Sequence, residues 1–338
     1  MLAYVLKRLA VIPFLLLGVA SVAFLLSQMT KGDPLAALVP ERMMANTEVV
    51  AAVKAQWGLD RSLPERYVIY ITNLVKGDMG TSFTSRRPVA TDIAERLPAT
   101  LELVIAAMIV GTAIGMAIGL LSARFPGSVI DIGGRGFALL GSSLPIFWSG
   151  LILLYIFTVR LGLTPGTGRL DARTRPPESI TGMYTVDSLL AGDVSLFMQS
   201  LSHLLLPAFV LGWAVTGIIA RLVRSSLLEE MGQDYVRTAR AKGAPERVVL
   251  LNHALRNALI PVLTVLGFTF AYLITGAVLT EAIFSWPGIG SYAVAAARSL
   301  DYPAIGGVTI VGAVAFLLAN LVTDVAYAWA NPRIKVGR

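Results

Sequence analysis

Residues 234–261 read DYVRTARAKGAPERVVLLNHALRNALIP and hold Arg237, Arg240, Lys242, Arg247 and Arg256 between two long apolar runs. Upstream of Gly243 the segment is made of helix formers, acidic at its start and basic at its finish, as the helix macrodipole favours. Gly243 suits the left-handed conformation that ends a helix, and Pro245 with Glu246 suits the first turn of the next one. The segment is therefore expected to form a helix, a tight turn and a second helix outside the bilayer. Its apolar positions can enter a groove on a partner or lie on the membrane surface.

The rest of the chain decides what such a hairpin is attached to. Of 338 residues, 55% are hydrophobic and 14% charged, with mean hydropathy +0.71. Soluble domains run at roughly 45–50% apolar and about 25% charged, so this is a membrane protein. The chain has no Cys, which removes disulfides, Cys-ligated metals and thiol chemistry. Six runs reach the roughly 20 apolar residues that a bilayer crossing needs: 9–29, 99–123, 136–159, 201–222, 259–280 and 305–329. The first follows Lys7 and Arg8 but is longer than a signal-peptide core, so it reads as a retained span.

The net charge of +7 is explained by topology rather than by nucleic acid. Basic residues are split evenly between the two sides of the membrane. On one side, however, nine of them lie in the connection 30–98, which is too long for the positive-inside rule. Acidic residues concentrate on that same side, leaving the N-terminus, segment 223–258 and the tail strongly positive. Both termini and the basic hairpin are thus expected in the cytoplasm.

Several features carry a structural reading. Gly111, Gly115 and Gly119 recur every four residues, a spacing that lets helices approach closely in lipid, within this chain or against another subunit. Glu102, one turn after Pro98, is expected to complement a helix N-terminus near the interface. Asp324 is expected to pair with the basic tail. His203 and His253 are isolated and make a poor metal site. In 30–98, the stretches 49–57 and 64–75 read as short amphipathic helices, forming a cap or a docking subdomain. The connection 160–200 reads as irregular in its first half, with an interfacial helix before the fourth span. No phosphate loop, GxSxG, HExxH or CxxC is present, and no Lys directly follows a Gly, so no catalytic constellation can be assembled.

RTARAKG followed by ALIP resembles the cytoplasmic EAA loop of permease subunits in ATP-binding-cassette importers, in the branch that carries dipeptides, oligopeptides and nickel. The loop's Glu-Ala-Ala corresponds to Arg237, Thr238 and Ala239, and its glycine to Gly243; only Ala239 and Gly243 match the general motif. YVLKRL, GDMGTSF, RPVATDIAERLPATLEL, LPIFW, EAIFSWPGIG, DYPAI and NPRI are similar to the first of the two permeases in such systems.

The resemblance implies an all-α integral membrane protein with six transmembrane helices. Its parts would be a first span (1–29), an extracytoplasmic helical subdomain (30–98) and a permease core (99–338) with an external insertion (160–200) and a coupling loop (223–258). ATPase coupling would fall to Glu230, Asp234, Tyr235, Arg237, Thr238, Ala239, Arg240, Ala241, Lys242, Gly243, Ala244, Pro245 and Glu246. Catalytic, cofactor and metal sites are not expected on this chain. ATP and Mg would be held by two partner ATPases. A second homologous permease, an extracytoplasmic solute-binding protein and membrane lipid complete the expected partners, at the bacterial inner membrane. The solute would be a peptide, with glutathione or nickel as alternatives. A self-sufficient secondary transporter or channel is the rival reading; it calls for inverted repeats and coupled ionisable groups at the midplane, which the sequence does not display.

A chain without Cys suits single-Cys labelling. A Cys at position 338 should resist an impermeant reagent in intact cells and react after permeabilisation; labelling from outside would reverse the orientation.

Overall fold

The computed structural model describes residues 2–29, 43, 45–56 and 60–330. The elements are α1 (Leu2–Met29), α2 (Thr47–Gln56), α3 (Leu63–Val75), α4 (Val89–Arg124), α5 (Val129–Ser143), α6 (Ile146–Leu154, extended as a π-helix over Tyr155–Arg160), α7 (Tyr184–Leu190), α8 (Val194–Met231), α9 (Asp234–Ala241), α10 (Glu246–Phe284), α11 (Ile289–Arg298) and α12 (Tyr302–Ala330). Among the described residues, five helices are long and apolar enough to cross a membrane, and α5 with α6 supplies a sixth crossing if the bent pair counts as one span. The two helices of the 30–98 connection lie close to their expected positions; Trp57, which ended the first, lies outside the described residues, as do 331–338, and the side chain of Asp324 is likewise not described.

The scaffold is set by α4 and α8. A Cβ added at Gly111 would stand 2.4 Å from the carbonyl oxygen of Gly212 and 2.9 Å from Val215. At Gly115 it would meet Ile219 at 2.8 Å, and at Gly119 Val223 at 2.7 Å. Contacts rise together along both helices, so α4 and α8 run parallel with their backbones nearly touching. The glycine spacing is thus used inside this chain. Without a hydrophobic driving force in lipid, such close packing is what holds helices together. Around this seam Leu103, Ala107, Leu211, Val215, Ile219 and Val223 are buried, and Val262, Leu273 and Ala277 of α10 close the core.

The third expected span, 136–159, falls on a broken pair of helices, α5 and α6, bent by 110°. Pro145 offers no N–H to continue the helix, and Leu144 before it is extended with ψ 138°, as a pre-proline residue prefers. Gly141 allows the end of α5 to lie on Trp213, whose indole N–H donates to the Phe137 carbonyl at 3.0 Å.

Glu102 also departs from expectation. The helix begins at Val89 and carries Pro98 inside it, so Glu102 sits well past the first turn. Its carboxylate instead meets Arg169 at 2.6 Å and accepts from the Thr185 N–H and hydroxyl, each at 2.7 Å. Both ionic side chains are buried (7% and 4% exposed). The guanidinium also donates to the Gly182 carbonyl at 2.8 Å and lies 3.5 Å from the Tyr184 ring centroid. The insertion 160–200, irregular over its first half, is therefore clamped onto α4. Further ties hold it. Gly168 N–H donates to the Phe284 carbonyl at 2.8 Å, and His203 lies 3.1 Å from the Gly168 carbonyl and 3.3 Å from Asp171. Burial pushes the Asp187 carboxyl up, but hydrogen bonds from Thr181, Gly182 and Ile180 outweigh it and hold the group below its ordinary value.

Next to this clamp, Glu281 at the end of α10 accepts from Thr100 Oγ1 at 2.5 Å and from the Ser291 N–H at 2.8 Å. Trp286, fully buried, donates to the Ala99 carbonyl at 2.7 Å. A Cβ on Gly288 would overlap the Glu281 carboxylate at 2.2 Å, which explains a glycine in WPGIG. The ends of α4, α8 and α10 remote from Gly243 are thereby joined to the insertion.

Removing one partner of a buried ion pair costs roughly 3–5 kcal/mol, because the other charge is stranded, whereas replacing both is often nearly neutral. Glu102→Ala should therefore lower the thermal unfolding midpoint in detergent more than the double variant Glu102→Gln with Arg169→Met. A double variant at least as destabilised as the single one would contradict this account.

Candidate functional site

The hairpin grows out of the scaffold's long helices. The 38-residue α8 runs to Met231, past the expected end of its span, and the chain turns through Gly232 and Gln233 into the eight-residue α9. On α9, Val236 and Ala239 are buried and three residues apart, so one stripe faces inward. They pack on Leu227 of α8 and on Val249, Leu250, Ala254 and Ala258 of α10. The remaining α9 side chains, including Arg237, Thr238, Arg240 and Ala241, are exposed, as are Lys242 and Gly243 after it.

Gly243 has φ +79°. Its N–H donates to the Arg240 carbonyl at 2.9 Å, and the Ala244 N–H donates to the Ala239 carbonyl at 3.2 Å. This is the paired hydrogen bonding of a Schellman helix end, which calls for a left-handed residue. No other atom lies within 4 Å of where a Cβ would stand, so backbone conformation alone selects glycine here. Pro245, extended at ψ 145°, opens α10, and Glu246 occupies its first turn. Arg240 reaches across the turn and donates to both carboxylate oxygens of Glu246, at 2.8 and 3.2 Å. The pair raises the Arg240 pKa further above its ordinary value.

A second tie sits on the other flank. The Tyr235 hydroxyl donates to the Glu230 carboxylate of α8 and accepts from the Asn257 amide of α10 at 3.0 Å. Burial, then the neighbouring Glu230, raises the phenol pKa, so Tyr235 remains a proton donor. One phenol therefore links three helices. Asn257 and Val236 were not among the expected site residues. The apolar i, i+3 pair of Val236 and Ala239 was a readable signal for the latter, whereas Asn257 could be found only once α10 was folded back. Asp234 and Arg237 make an exposed pair at 3.4 Å.

The structure revises one part of the expectation. The second arm is not a separate helix outside the bilayer: from Glu246 it continues, through a π-helical turn at Val249–Ala254, as the 39-residue α10 that ends at Phe284 beside Trp286. α9 is thereby packed against both α8 and α10. The other expected positions, from Glu230 to Glu246, are gathered in this turn with their charged tips facing away from the core.

Residues 115–336 match the family described as binding-protein-dependent transport system inner membrane component, and residues 1–104 match its N-terminal membrane component. The chain is 43% identical over 336 residues to the di/tripeptide transport system permease protein DppB of Pseudomonas aeruginosa, covering 99% of each chain. It is 42% identical over 320 residues to the probable D,D-dipeptide transport system permease protein DdpB of Escherichia coli, covering 95% of this chain and 94% of the relative. The glutathione transport system permease protein GsiC of Salmonella choleraesuis is 40% identical over 337 residues, with 99% of each chain covered. With its apolar helices and its exposed interhelical hairpin, the chain belongs to the family of binding-protein-dependent transport system inner membrane components, the multi-pass permease subunits of ABC importers.

Proposed function

We propose that this permease forms half of a translocation pathway for peptides or for a peptide-like solute such as glutathione, and that its hairpin is the contact that couples transport to ATP. The observation that carries the proposal is a rigidly docked α9 whose exposed face lies at the junction of the 38-residue α8 and the 39-residue α10. The names of the relatives support the solute class. The partners in this reading are a second, similar permease, two ATPase subunits that bind ATP and Mg, and an extracytoplasmic binding protein. The hairpin and both termini face the cytoplasm.

The chemistry asked of this chain is mechanical. ATP supplies free energy through its differential contacts with two states of the ATPases. The hairpin receives that displacement, and because Val236, Ala239, Tyr235 and the Arg240–Glu246 pair fix α9 to α8 and α10, the long helices tilt rather than the hairpin sliding alone. At the far end, Glu281 ties α10 to α4 and α11, and Glu102 and His203 tie α4 and α8 to the insertion 160–200. Segment 45–75, with α2 and α3, is then placed to receive the binding protein.

Gly243→Val tests the coupling role. With no atom near the missing Cβ, the substitution acts through the left-handed backbone alone, at about 1–2 kcal/mol. Membrane insertion should persist, while ATPase co-purification and uptake should fall at matched expression. If the hairpin is instead a lipid-surface anchor, Arg237→Gln with Lys242→Gln should hurt more than Gly243→Val. Full transport by Gly243→Val would remove the coupling role. Deleting 49–75 should impair uptake but leave the ATPases attached, and unchanged uptake would reduce that segment to a dispensable cap.

A further inference from the structure

Between α5 and α8, on the membrane face that carries the hairpin, lies a cavity of about 370 Å³. Arg135, Arg221 and Arg224 form its base, and Leu139, Gly217 and Ala220 its wall. Asp131 is the acid within reach of these arginines, and it is fully engaged. Its carboxylate accepts from Arg224 Nε and Nη2 at 3.1 and 3.0 Å and from the Gly127 N–H at 3.0 Å, and it is ion-paired with Arg135 at 2.8 Å, whose Nε–H donates to the Asp131 backbone carbonyl at 3.3 Å. Arg221 is exposed and makes no side-chain hydrogen bond or ion pair among the described residues. Two guanidiniums thus share one buried carboxylate while Arg221 stands beside them without one, and the pocket keeps an uncompensated positive charge.

The surroundings identify the missing anion. Leu139 of the cavity wall is exposed, and on the same two helices Phe137 and Leu140 of α5 and Ile218 of α8, outside the cavity lining, are exposed as well. Along α5 the surface changes from Arg135 to Leu139 within one helical turn, and along α8 from Arg221 to Ile218 in less than one. A water-soluble anion would be served by the arginines alone and would leave that apolar wall bare. A molecule with a phosphate attached to hydrocarbon satisfies both halves. Basic pockets between spans on this side of a membrane are suited to anionic headgroups, and guanidinium forks suit phosphate oxygens.

We propose that this cavity binds an anionic phospholipid, its phosphodiester held by Arg221 with Arg135 and Arg224, and an acyl chain lying along Leu139 and Ile218. Bound there, the lipid braces the start of α5 against α8 one turn above the stretch that leads into the hairpin. Arg221 is the residue free to recognise it, since the other two arginines are also needed to hold Asp131.

The test uses the assembled transporter, delipidated and then offered phosphatidylglycerol, phosphatidylcholine or inorganic phosphate, with bound molecules read by native mass spectrometry. Each basic group near an anionic surface adds about 1 kcal/mol, so phosphatidylglycerol should be retained with roughly fivefold or greater preference over phosphatidylcholine. Arg221→Gln should abolish most of that preference and Arg221→Lys should keep much of it. Arg247→Gln, which removes a basic residue of the same membrane face that does not line this cavity, should leave it intact. Equal retention of both lipids, an equal loss in Arg221→Gln and Arg247→Gln, or displacement of phosphatidylglycerol by inorganic phosphate would each overturn the proposal. So would the absence of bound lipid in the assembled complex, which would mean that another subunit covers the face.

Discussion

Backbone-to-backbone contact between α4 and α8 is the constraint on which the remaining architecture rests. Glycines at 111, 115 and 119 bring α4 against Gly212, Thr216 and Ala220 of α8 at distances no side chain would permit. In lipid, where burying apolar surface between helices gains little, such contact supplies the packing energy. It also aligns two long helices in parallel. The insertion 160–200 is fixed to the starts of both helices, and the hairpin follows the far end of α8.

At the end away from the hairpin, the helices are locked by buried polar contacts. Glu102, Thr100 and the Ala99 carbonyl, all on α4, meet Arg169, Glu281 and Trp286 from three other parts of the chain. A buried ion pair contributes little net stability unless its remaining hydrogen-bonding capacity is satisfied. Here Thr185 and the Gly182 carbonyl supply that, and the specificity of the pairing is what orders a Gly- and Pro-rich loop.

At the other end, α8 and α10 converge on α9 through a small apolar cluster and two polar ties, Tyr235 and the Arg240–Glu246 pair. The same α8 carries Arg224, paired with Asp131, and the unpaired Arg221, so the stretch that leads into the hairpin also bears an uncompensated guanidinium. These two arginines and the entry to the hairpin thus lie on one continuous helix, α8.

Local chemistry was readable from the chain alone. Apolar run lengths marked the spans, four-residue glycine spacing marked the close helix contact, and Gly243 before Pro245 marked a left-handed helix end, because each follows from the residue's own backbone or transfer preferences. What the chain's linear order could not reveal was pairing between distant segments. Glu102 read as a helix-end carboxylate because Pro98 looked like a start, yet Val89 had already begun the helix and the partner was Arg169, 67 positions away. The 136–159 run looked like one span because hydropathy averages across Leu144–Pro145, where backbone geometry breaks it. Asn257 met Tyr235, and Arg221 came to stand beside Arg135, only when α10 and α5 folded back along α8. Propensity and hydrophobicity act on neighbours in sequence; ion pairs, ties between helices and pockets depend on neighbours in space, which three-dimensional packing alone brings together.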